Sequence, residues 1–488
     1  MKKILFTHSF FYKLDQKQWK FKQPYPPLGT IFAASLLREH NFPVSLFDTN
    51  LRDSPDELLS IIENERPDHL IIYDDGFNYL TKMCLTNMRE AAYSMIRTAK
   101  GYGCTVIVSS SDASDHYEEY LHQGADYVLI GEAEMTLLEL VKELESGDPQ
   151  VEGIAGMAMR GESGIVKTGS RAVMRDLDDL PLPAWDLVDV KQYDDIWRTH
   201  HGYFSINIAT TRGCPFKCNW CAKPIYGNRY NTRSPKKVIE EIELLVKLYN
   251  PDHFWMCDDI FGLKPGWIQE FRDLLIEKEL SIKYKIQSRA DLLLQEDTIE
   301  ALAASGLETV WIGAESGSQK ILDAMDKGTT LNQISEATKL LQSKGIRVAF
   351  FLQFGYLGET REDIIKTQDM VLKLMPDEIG ISVSYPLPGT KFYDNVKQHL
   401  SNKANWTDSD DLDAMFANDQ DRDFYKNLPR YIHKVYRKQK GIDTIKEFAR
   451  RPQSLNSRKL RTMLATFYYI PSIMWDRVQL KKHESFPG

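Results

Sequence analysis

Three closely spaced cysteines are the residues of this chain with the clearest chemistry. Cys214, Cys218 and Cys221 form a C-x3-C-x2-C loop directly after an alternating, strand-like stretch at 204–209. Three thiolates can hold a cubane iron–sulfur cluster, but a complete protein shell normally takes four cysteines. The loop therefore predicts a cluster with one iron open to a substrate or cofactor.

A zinc site is the alternative use of such a loop. A Cys3His site needs a fourth ligand, and zinc sites usually contain two pairs of cysteines. The sequence has no second pair, and a predicted strand separates the nearest histidines, His200 and His201, from the loop. We therefore favour the cluster.

The first 150 residues alternate short β-rich runs with helical stretches. This alternation predicts a doubly wound, Rossmann-like α/β domain whose ligands lie beyond the carboxyl ends of the strands. The predicted strands are 3–7, 44–48, 69–73, 105–109 and 127–130. Residues 151–203 are richer in Gly, Asp and Pro, and we interpret them as a linker.

Strands and helices alternate again over residues 204–393. Six predicted βα units indicate a partial (β/α)6 barrel with its site at the C-terminal ends of the strands. The predicted strands are 204–209, 253–257, 283–287, 309–314, 348–354 and 378–385. Residues 394–488 are polar and predict a helical C-terminal region.

The cysteine loop resembles the signature of the radical S-adenosylmethionine (SAM) superfamily, because it follows a strand and has Trp220 just before Cys221. The resemblance implies a [4Fe–4S] cluster on Cys214, Cys218 and Cys221 whose open iron chelates SAM. One electron, from a reductant such as flavodoxin or ferredoxin, would cleave SAM to a 5′-deoxyadenosyl radical that abstracts hydrogen. In such enzymes the cofactor does the difficult chemistry and the protein positions it.

Polar segments follow the later barrel strands in the order that this resemblance implies. Asp258 and Asp259 follow the second strand, where the superfamily binds the methionyl ammonium of SAM; Arg289 follows the third strand, and Glu315 follows the fourth, where an acid contacts the ribose. The resemblance also assigns adenine-flanking and cavity-closing positions to Trp220, Gln353, Gly355 and Pro386. Taken singly, each could be a turn residue or a solvated loop acid; their common order argues for the site.

The N-terminal domain resembles that of the cobalamin-binding branch of the superfamily. Residues 131–136 are similar to the branch's Gly-Glu-x-Glu-x-Thr signature, and the likeness extends over about the first 390 residues. It implies cobalamin bound after the strands and at the start of the first helix. The implied contacts are Pro27, Leu28, Gly29, Asp74, Asp75, Ser109, Ser110, Ser111, Gly131, Glu132, Glu134 and Thr136.

Two departures from that branch concern the cobalamin site. The chain has no Asp-x-His-x-x-Gly motif, so the implied cobalt has no histidine ligand. In place of the usual Gly-Gly-x-His segment, residues 109–116 are bulkier and acidic, and Asp74 and Asp75 would add charge near the cobalt if they point inward. A degenerate domain, kept for packing or for another ligand, is the alternative.

Three functions remain open at this point. The first is a cobalamin-dependent radical SAM methyltransferase acting at an unactivated carbon. The second resembles the anaerobic magnesium-protoporphyrin monomethyl ester cyclases, which have the same architecture but close a ring oxidatively. The third is an iron–sulfur sensor module. The sequence indicates neither the substrate nor a hydrogen-donor residue.

Composition limits the partners. The net charge of −8 argues against broad binding to nucleic acid, and six cysteines in 488 residues favour metal ligation in a reducing cytoplasm over a disulfide scaffold. We expect a cytoplasmic enzyme with a small-molecule substrate.

No apolar run approaches the length of a membrane span, which is about 18 residues. Segment 464–475 is apolar and aromatic, and basic residues follow it. We interpret it as a helix packed on the main body and interrupted at Pro471; resting on a membrane surface is the alternative.

Overall fold

The chain folds around two largely parallel α/β sheets in a computed structural model, which describes residues 2–146, 148–223, 225–400, 405–412, 422–454 and 456–483. The predicted α/β fold class is confirmed, with a doubly wound sheet followed by a partial barrel and C-terminal helices.

The first sheet has seven strands in the order β2-β1-β3-β4-β5-β6-β7. They are β1 (Ile4–Thr7), β2 (Val44–Phe47), β3 (His69–Tyr73), β4 (Thr105–Ser109), β5 (Tyr127–Leu129), β6 (Met157–Gly161) and β7 (Gly164–Lys167). Strands β1 to β5 are parallel, and the β6–β7 hairpin continues the sheet antiparallel to β5.

Helices cover both faces of this sheet, because its strands are apolar on both sides. The helices of this part are α1 (Gln16–Phe21), α2 (Leu28–Glu39), α3 (Leu58–Glu65), α4 (Thr86–Gly101), α5 (Ser111–Asp115), α6 (Tyr117–His122), α7 (Glu134–Leu144) and α8 (Val190–His201). Helices α2 and α7 pack on one face, and α3, α4 and α6 pack on the other.

The interpretation of residues 151–203 as a linker is wrong in two respects. The segment contributes β6 and β7 to the first sheet and also forms α8. It is anchored by buried tryptophans: Trp185 Nε1 donates to Glu241 Oε1 at 3.1 Å, and Trp197 Nε1 donates to the Pro24 carbonyl at 2.7 Å.

The second sheet is parallel throughout, in the order β8-β11-β12-β13-β14-β15, with β8 and β15 as its two edges in the described chain. Its strands, with a short separate β9–β10 hairpin, are β8 (Ser205–Ile208), β9 (Thr211–Arg212), β10 (Asn231–Thr232), β11 (His253–Met256), β12 (Tyr284–Ser288), β13 (Leu307–Glu315), β14 (Arg347–Phe354) and β15 (Glu378–Val383). The helices are α9 (Pro235–Tyr249), α10 (Trp267–Glu277), α11 (Ala290–Leu293), α12 (Thr298–Ala304), α13 (Gln319–Ala324), α14 (Leu331–Ser343), α15 (Arg361–Leu374) and α16 (Lys391–Val396). Since its edges do not pair, the sheet is a partial barrel.

The two sheets share one apolar core. Leu28, Phe32 and Phe77 of the first unit belong to the same buried cluster as Ile206 and Phe254 of the barrel. This shared core brings the carboxyl edge of the first sheet against the barrel.

Two long helices follow the barrel, α17 (Arg422–Arg450) and α18 (Ser457–Lys482). Helix α17 packs beside the edge strand β15, where Tyr436 Oη lies 2.7 Å from the carbonyl oxygens of both Pro376 and Asp377 and shares its one proton between them. The predicted interruption at Pro471 is wrong, because α18 continues through it. Pro471 is exposed, so water can solvate the carbonyl that its missing N–H leaves unpaired.

The prediction that segment 464–475 packs on the main body is also wrong for most of its large side chains, which point outward. Among the described residues, no helix is long and apolar enough to cross a membrane.

Candidate functional site

The cysteine loop starts from a short hairpin and closes on its own backbone. Strand β9 pairs antiparallel with β10, so the chain returns to its starting point after the loop. Gly213 has φ +76°, and a Cβ there would collide with the Arg229 carbonyl. Lys223 Nζ donates to the Cys214 carbonyl at 3.0 Å and to Asn228 Oδ1 at 2.8 Å. Lys223 thus fixes the loop from within.

The three thiols of the loop provide the donor set that a cubane cluster requires. All three are free and half-buried. Burial raises the pKa of Cys214, and it raises that of Cys221 to about 12; bound iron would favour the thiolates instead. No three His, Cys, Asp or Glu side chains in the described chain surround a position for one metal ion. A cubane does not require this, since each thiolate binds a different iron.

The far end of the loop is tied to the barrel through Asn219. Its N–H donates to the Met325 carbonyl at 3.0 Å, and its Nδ2 donates to the Ala324 carbonyl at 2.7 Å. Tyr356 Oη donates to Asn219 Oδ1 at 2.7 Å. Trp220 packs against the buried cluster that contains Tyr356, and its buried indole Nε1 has no hydrogen-bond partner among the described residues. Neither Asn219 nor Tyr356 was predicted from the sequence as a site residue.

Charged side chains from the barrel lie directly beside the cysteines. The Arg289 guanidinium stacks 3.7 Å above the centre of the Phe216 ring, with Nη1 4.0 Å from Cys218 Sγ. Arg289 Nη1 also donates to the Lys327 carbonyl at 2.7 Å. Lys327 Nζ in turn pairs with Glu315 Oε1 at 2.7 Å, and both side chains are buried. The arrangement supplies donors and an acceptor next to the cluster loop.

The backbone conformation around the end of β13 places Glu315 in position to pair with Lys327. Glu315 has φ +54° and follows a register shift between β13 and β14. A Cβ on Gly313 would lie 2.5 Å from Lys327 Nζ and 2.7 Å from Glu315 Oε1, so glycine makes room for the pair. Burial alone would lower the pKa of Lys327, but Glu315 raises it above its ordinary value. Lys327 was missed in the sequence because it lies in a loop after α13, outside the strand-end pattern.

The two aspartates after β11 already have protein partners. Asp258 is fully buried and accepts from the N–H groups of Thr210 and Thr211 at 2.7 and 2.8 Å. Burial raises the pKa of Asp258 to about 6. Asp259 forms an ion pair with Lys82, which belongs to the first unit. Asp258 therefore holds the start of the cysteine loop, and the predicted contact of Asp258 and Asp259 with the SAM ammonium stays a prediction.

The segments after β14 and β15 lie at the same end of the barrel as the cysteine loop. Gln353 Nε2 donates to Ser384 Oγ at 3.0 Å. Gly355 has φ +77°, and its N–H donates to Glu359 Oε2 at 2.7 Å. Burial raises the pKa of Glu359 to about 8, so it is largely protonated at neutral pH. Pro386 is buried in the segment that follows β15.

At the carboxyl edge of the first sheet, Asp74 and Asp75 bind neighbouring protein groups. Asp74 accepts from Ser9 N–H at 2.7 Å and Oγ at 2.8 Å, and Asp75 accepts from the N–H groups of Gly29 and Phe77, both at 3.0 Å. Burial raises the pKa of both aspartates. Their carboxylates are thus not presented as free charges to a ligand.

The polar side chains of the acidic segment after β4 also form hydrogen bonds with other protein groups. Ser110 Oγ caps α5 by accepting from Ala113 N–H at 2.8 Å, while Asp112 accepts from Arg89 Nε and from Tyr120 Oη, both at 2.7 Å. Ser109 and Ser111 are buried at this edge, as are Pro27 and Leu28 at the start of α2.

His8 follows β1 at this edge, and it is engaged on both ring nitrogens. Nε2 lies 2.9 Å from Asp48 Oδ1, and Nδ1 lies 3.0 Å from Thr49 Oγ1. A cobalt at this edge would therefore bind without His8, in agreement with the missing Asp-x-His-x-x-Gly motif.

The Gly-Glu-x-Glu-x-Thr residues make contacts within the protein, and their role as cobalamin contacts stays a prediction. Arg212, two residues before Cys214, donates from Nη1 to Glu132 Oε1 at 2.6 Å and from Nη2 to Glu134 Oε1 at 2.7 Å. All three side chains are buried. Thr136 Oγ1 donates to the Ala155 carbonyl at 2.9 Å.

The first sheet also touches the chain just after the cysteines. A Cβ on Gly76 would lie 3.2 Å from Tyr226 Oη, and one on Gly131 would lie 3.7 Å from the Ile225 carbonyl. The cysteine loop thus lies against the carboxyl edge of the first sheet.

The partial barrel and its three-cysteine loop define a radical SAM enzyme. Residues 208–371 match the model of the Radical SAM superfamily, so this part of the chain is a radical SAM domain. An uncharacterized methyltransferase from Pyrococcus horikoshii is 27% identical over 388 residues, covering 78% of this chain and 81% of that protein. The anaerobic magnesium-protoporphyrin IX monomethyl ester cyclase of Rubrivivax gelatinosus is 30% identical over 285 residues, but the match spans 57% of this chain and about half, 49%, of the cyclase.

Two solved structures share the fold along most of the chain. OxsB, solved with aqua-cobalamin and SAM bound, aligns with a TM-score of 0.72 at 18% identity, over 95% of this chain and 70% of OxsB. The methyltransferase TsrM from Kitasatospora setae, solved with cobalamin and a [4Fe–4S] cluster, aligns with a TM-score of 0.67 at 19% identity, over 81% of this chain and 78% of TsrM.

Proposed function

We propose that this chain is a cobalamin-dependent radical SAM methyltransferase acting at an unactivated carbon of a small molecule. The observation that carries the proposal is the direct contact between the cysteine loop and the carboxyl edge of the first sheet, through Tyr226, Ile225 and Arg212. A reaction that needs both cofactors at one substrate carbon requires the two edges to be adjacent. Relatives named as methyltransferases support the choice.

The residues that would hold each cofactor follow from the contacts described above. Cys214, Cys218 and Cys221 would ligate the cluster, and Arg289, Lys327 and Glu315 would bind polar groups of SAM beside it. Segments 27–29 and 109–111 and Gly131 would approach cobalamin with backbone and small side chains. When bound, the cluster with SAM supplies hydrogen abstraction, and cobalamin supplies the methyl group.

The chain's own residues orient and shield these groups. Arg289 holds a positive charge 4.0 Å from Cys218 Sγ, where it offsets the charge of the thiolates. Lys327 holds the Glu315 side chain in place through their ion pair, where it would accept hydrogen bonds from the ribose hydroxyls. Gln353, Gly355, Pro386 and Trp220 remain proposed contacts at the adenine end. Helix α17 packs beside the edge strand β15 and would help to exclude water from this edge of the barrel.

Two measurements on one preparation test the proposal without knowledge of the substrate. Anaerobically reconstituted protein, made with cobalamin available, should contain cobalt and release 5′-deoxyadenosine from SAM. With SAM labelled in its methyl group, the label should appear in the cobalamin fraction. The Cys218→Ala variant should lose the cluster and the 5′-deoxyadenosine. Cleavage without cobalt or label transfer would reject methyl transfer.

An oxidative cyclase is the second candidate, favoured by the 30% identity to the magnesium-protoporphyrin cyclase. Label found only in methionine, with none in cobalamin or in any other product while 5′-deoxyadenosine forms, would support it. An intact cluster with no cleavage of SAM would instead support an iron–sulfur sensor.

We also propose a cytoplasmic location and an external reductant of the flavodoxin or ferredoxin class, since the reaction needs one electron. The acidic composition supports a protein that does not bind nucleic acid.

A further inference from the structure

The outward face of α18 is apolar along most of the helix. We call this face the outer stripe; its members fall within about 120° of the helix circumference at 100° per residue and are 44–68% exposed. They are Leu460, Leu464, Phe467, Tyr468, Met474, Trp475 and Val478. From the first to the last of them the helix rises about 27 Å. A continuous apolar stripe of this length marks an interaction site, unlike scattered surface leucines.

The opposite face of α18 is the one that packs on the protein. Thr466 fits against Gly441 of α17, where a Cβ would collide with the threonine side chain. Asp476 is buried and pairs with Lys434 at 2.6 Å, and Leu480 is buried near the end of the helix. The outer stripe therefore remains exposed after α18 has made its contacts with α17.

The net charge of α18 is opposite in sign to the net charge of the whole chain. The helix carries six Lys or Arg and one Asp, whereas the chain has a net charge of −8. Because the one Asp is buried in its ion pair, the exposed charges among the described side chains of the helix are positive. They belong to Arg461, Arg477, Lys481 and Lys482. At 100° per residue, Arg461 and Lys481 border the outer stripe on its two sides and Lys482 extends it at its end.

We propose that the outer stripe docks this enzyme on the surface of a lipid bilayer that contains anionic phospholipids. The helix lies in the plane of the interface, with its aliphatic side chains and Phe467 in the acyl boundary. Trp475 and Tyr468 place amphipathic rings at the level of the headgroups. The flanking Arg and Lys side chains contact lipid phosphates, and their charge complements the negative surface.

A second copy of the chain would fit the same face less well. In an antiparallel pair of stripes, Arg461 of one copy would approach Lys481 and Lys482 of the other, and in a parallel pair like residues would meet. Either arrangement brings positive charges together around an apolar contact. An anionic lipid surface instead neutralises them.

Vesicle flotation of the full-length holoprotein tests the proposal. We expect binding to vesicles of phosphatidylcholine with phosphatidylglycerol, weak binding to phosphatidylcholine alone, and release by salt. Phe467→Ser and Trp475→Ser should each reduce binding about ten-fold, since each removes a large apolar side chain from the lipid. Lys481→Glu with Lys482→Glu should reduce binding to anionic vesicles at least about ten-fold and leave binding to neutral vesicles unchanged.

Matched variants elsewhere on the surface separate docking from general changes in solubility and charge. Ile276→Ser replaces another exposed apolar residue, 62% exposed on α10, and Lys236→Glu with Lys247→Glu makes the same change in charge on α9. Neither should alter flotation, and all variants should retain wild-type circular dichroism. Equal binding by stripe and control variants would overturn the proposal. The absence of vesicle binding would also overturn the proposal. This holds even if the protein instead forms a dimer that Phe467→Ser and Trp475→Ser disrupt.

Discussion

Arg212 joins the two sheets by neutralising two buried carboxylates. In Arg212→Met, Glu132 and Glu134 would remain buried without a cationic partner, at a cost of about 3–5 kcal/mol in the free energy of unfolding. Urea unfolding of the cofactor-free protein measures the difference. Arg38→Met is the matched control: it breaks the exposed pair with Asp186 and should cost less than about 1 kcal/mol.

A second step isolates the cause of the Arg212 effect. Adding Glu132→Gln and Glu134→Gln to Arg212→Met removes the buried charges and should restore part of the lost stability. No recovery would show that Arg212 acts mainly through its packing on the rings of Phe32, Phe77 and Tyr226.

Glu359 should make the stability of the protein depend on pH. Burial raises its pKa from 4.5 to about 8, so the folded state binds the proton more tightly than the unfolded state does. The stabilisation is fully present below pH 4.5 and is lost as pH rises through about 8. The shift corresponds to about 3–5 kcal/mol, part of which should be lost between pH 6 and pH 9.

Glu359→Gln tests this dependence, because glutamine keeps a carbonyl acceptor for Gly355 N–H and cannot ionise. Chemical unfolding at a series of pH values should show a smaller loss of stability for the variant than for the wild type over this interval. Parallel curves would mean that another group carries the pH dependence.

Residue types at the site could be predicted, but their partners could not. The sequence indicates acids at 132, 134, 258 and 259, yet each binds a protein group rather than an open pocket. Glu134 pairs with Arg212, which is 78 positions away in the sequence, and Asp259 pairs with Lys82, which is 177 positions away. Such pairings depend on how the two sheets dock, which local patterns do not encode. The cysteine spacing is informative because its ligands are contained in one loop.

At the level of elements, the turn after β13 prepares the proposed SAM site. In Gly313→Ala, the new methyl group would displace Lys327 or Glu315, and we expect about a ten-fold or larger fall in the rate of 5′-deoxyadenosine formation. The iron content should be unchanged, because the cysteines are not touched. Gly169→Ala is the control, since its Cβ would meet no atom within 4 Å. Loss of iron in Gly313→Ala would contradict a role limited to SAM.

Strands with strong patterns were predictable to within about two residues, whereas the β6–β7 hairpin was not. β6 reads Met-Ala-Met-Arg-Gly and β7 reads Gly-Ile-Val-Lys, so each is short and contains glycine. Pairing of β6 with β5, and of β7 with β6, stabilises these strands where their local β-propensity is weak. Helix α18 shows the converse: Pro471 predicts a break, but the helix continues because that position faces solvent.

Across the whole molecule, the shared core implies that the first sheet and the barrel unfold together. Phe77 lies between them, 6.1 Å from the Phe32 ring and 5.7 Å from the Tyr226 ring, and Phe77→Ala should cost about 3–5 kcal/mol. Ile62→Ala lies on the far face of the first sheet, outside the shared cluster, and should cost about 2–5 kcal/mol.

If the units are coupled, both variants should lower the protection of β13 amides against global exchange by their full measured cost, because β13 can open only when the common core does. Hydrogen exchange read out by mass spectrometry on β13 peptides measures this. Loss of protection in the first sheet alone, with β13 unchanged in Ile62→Ala, would show two independently stable units that meet only at the cofactor edge.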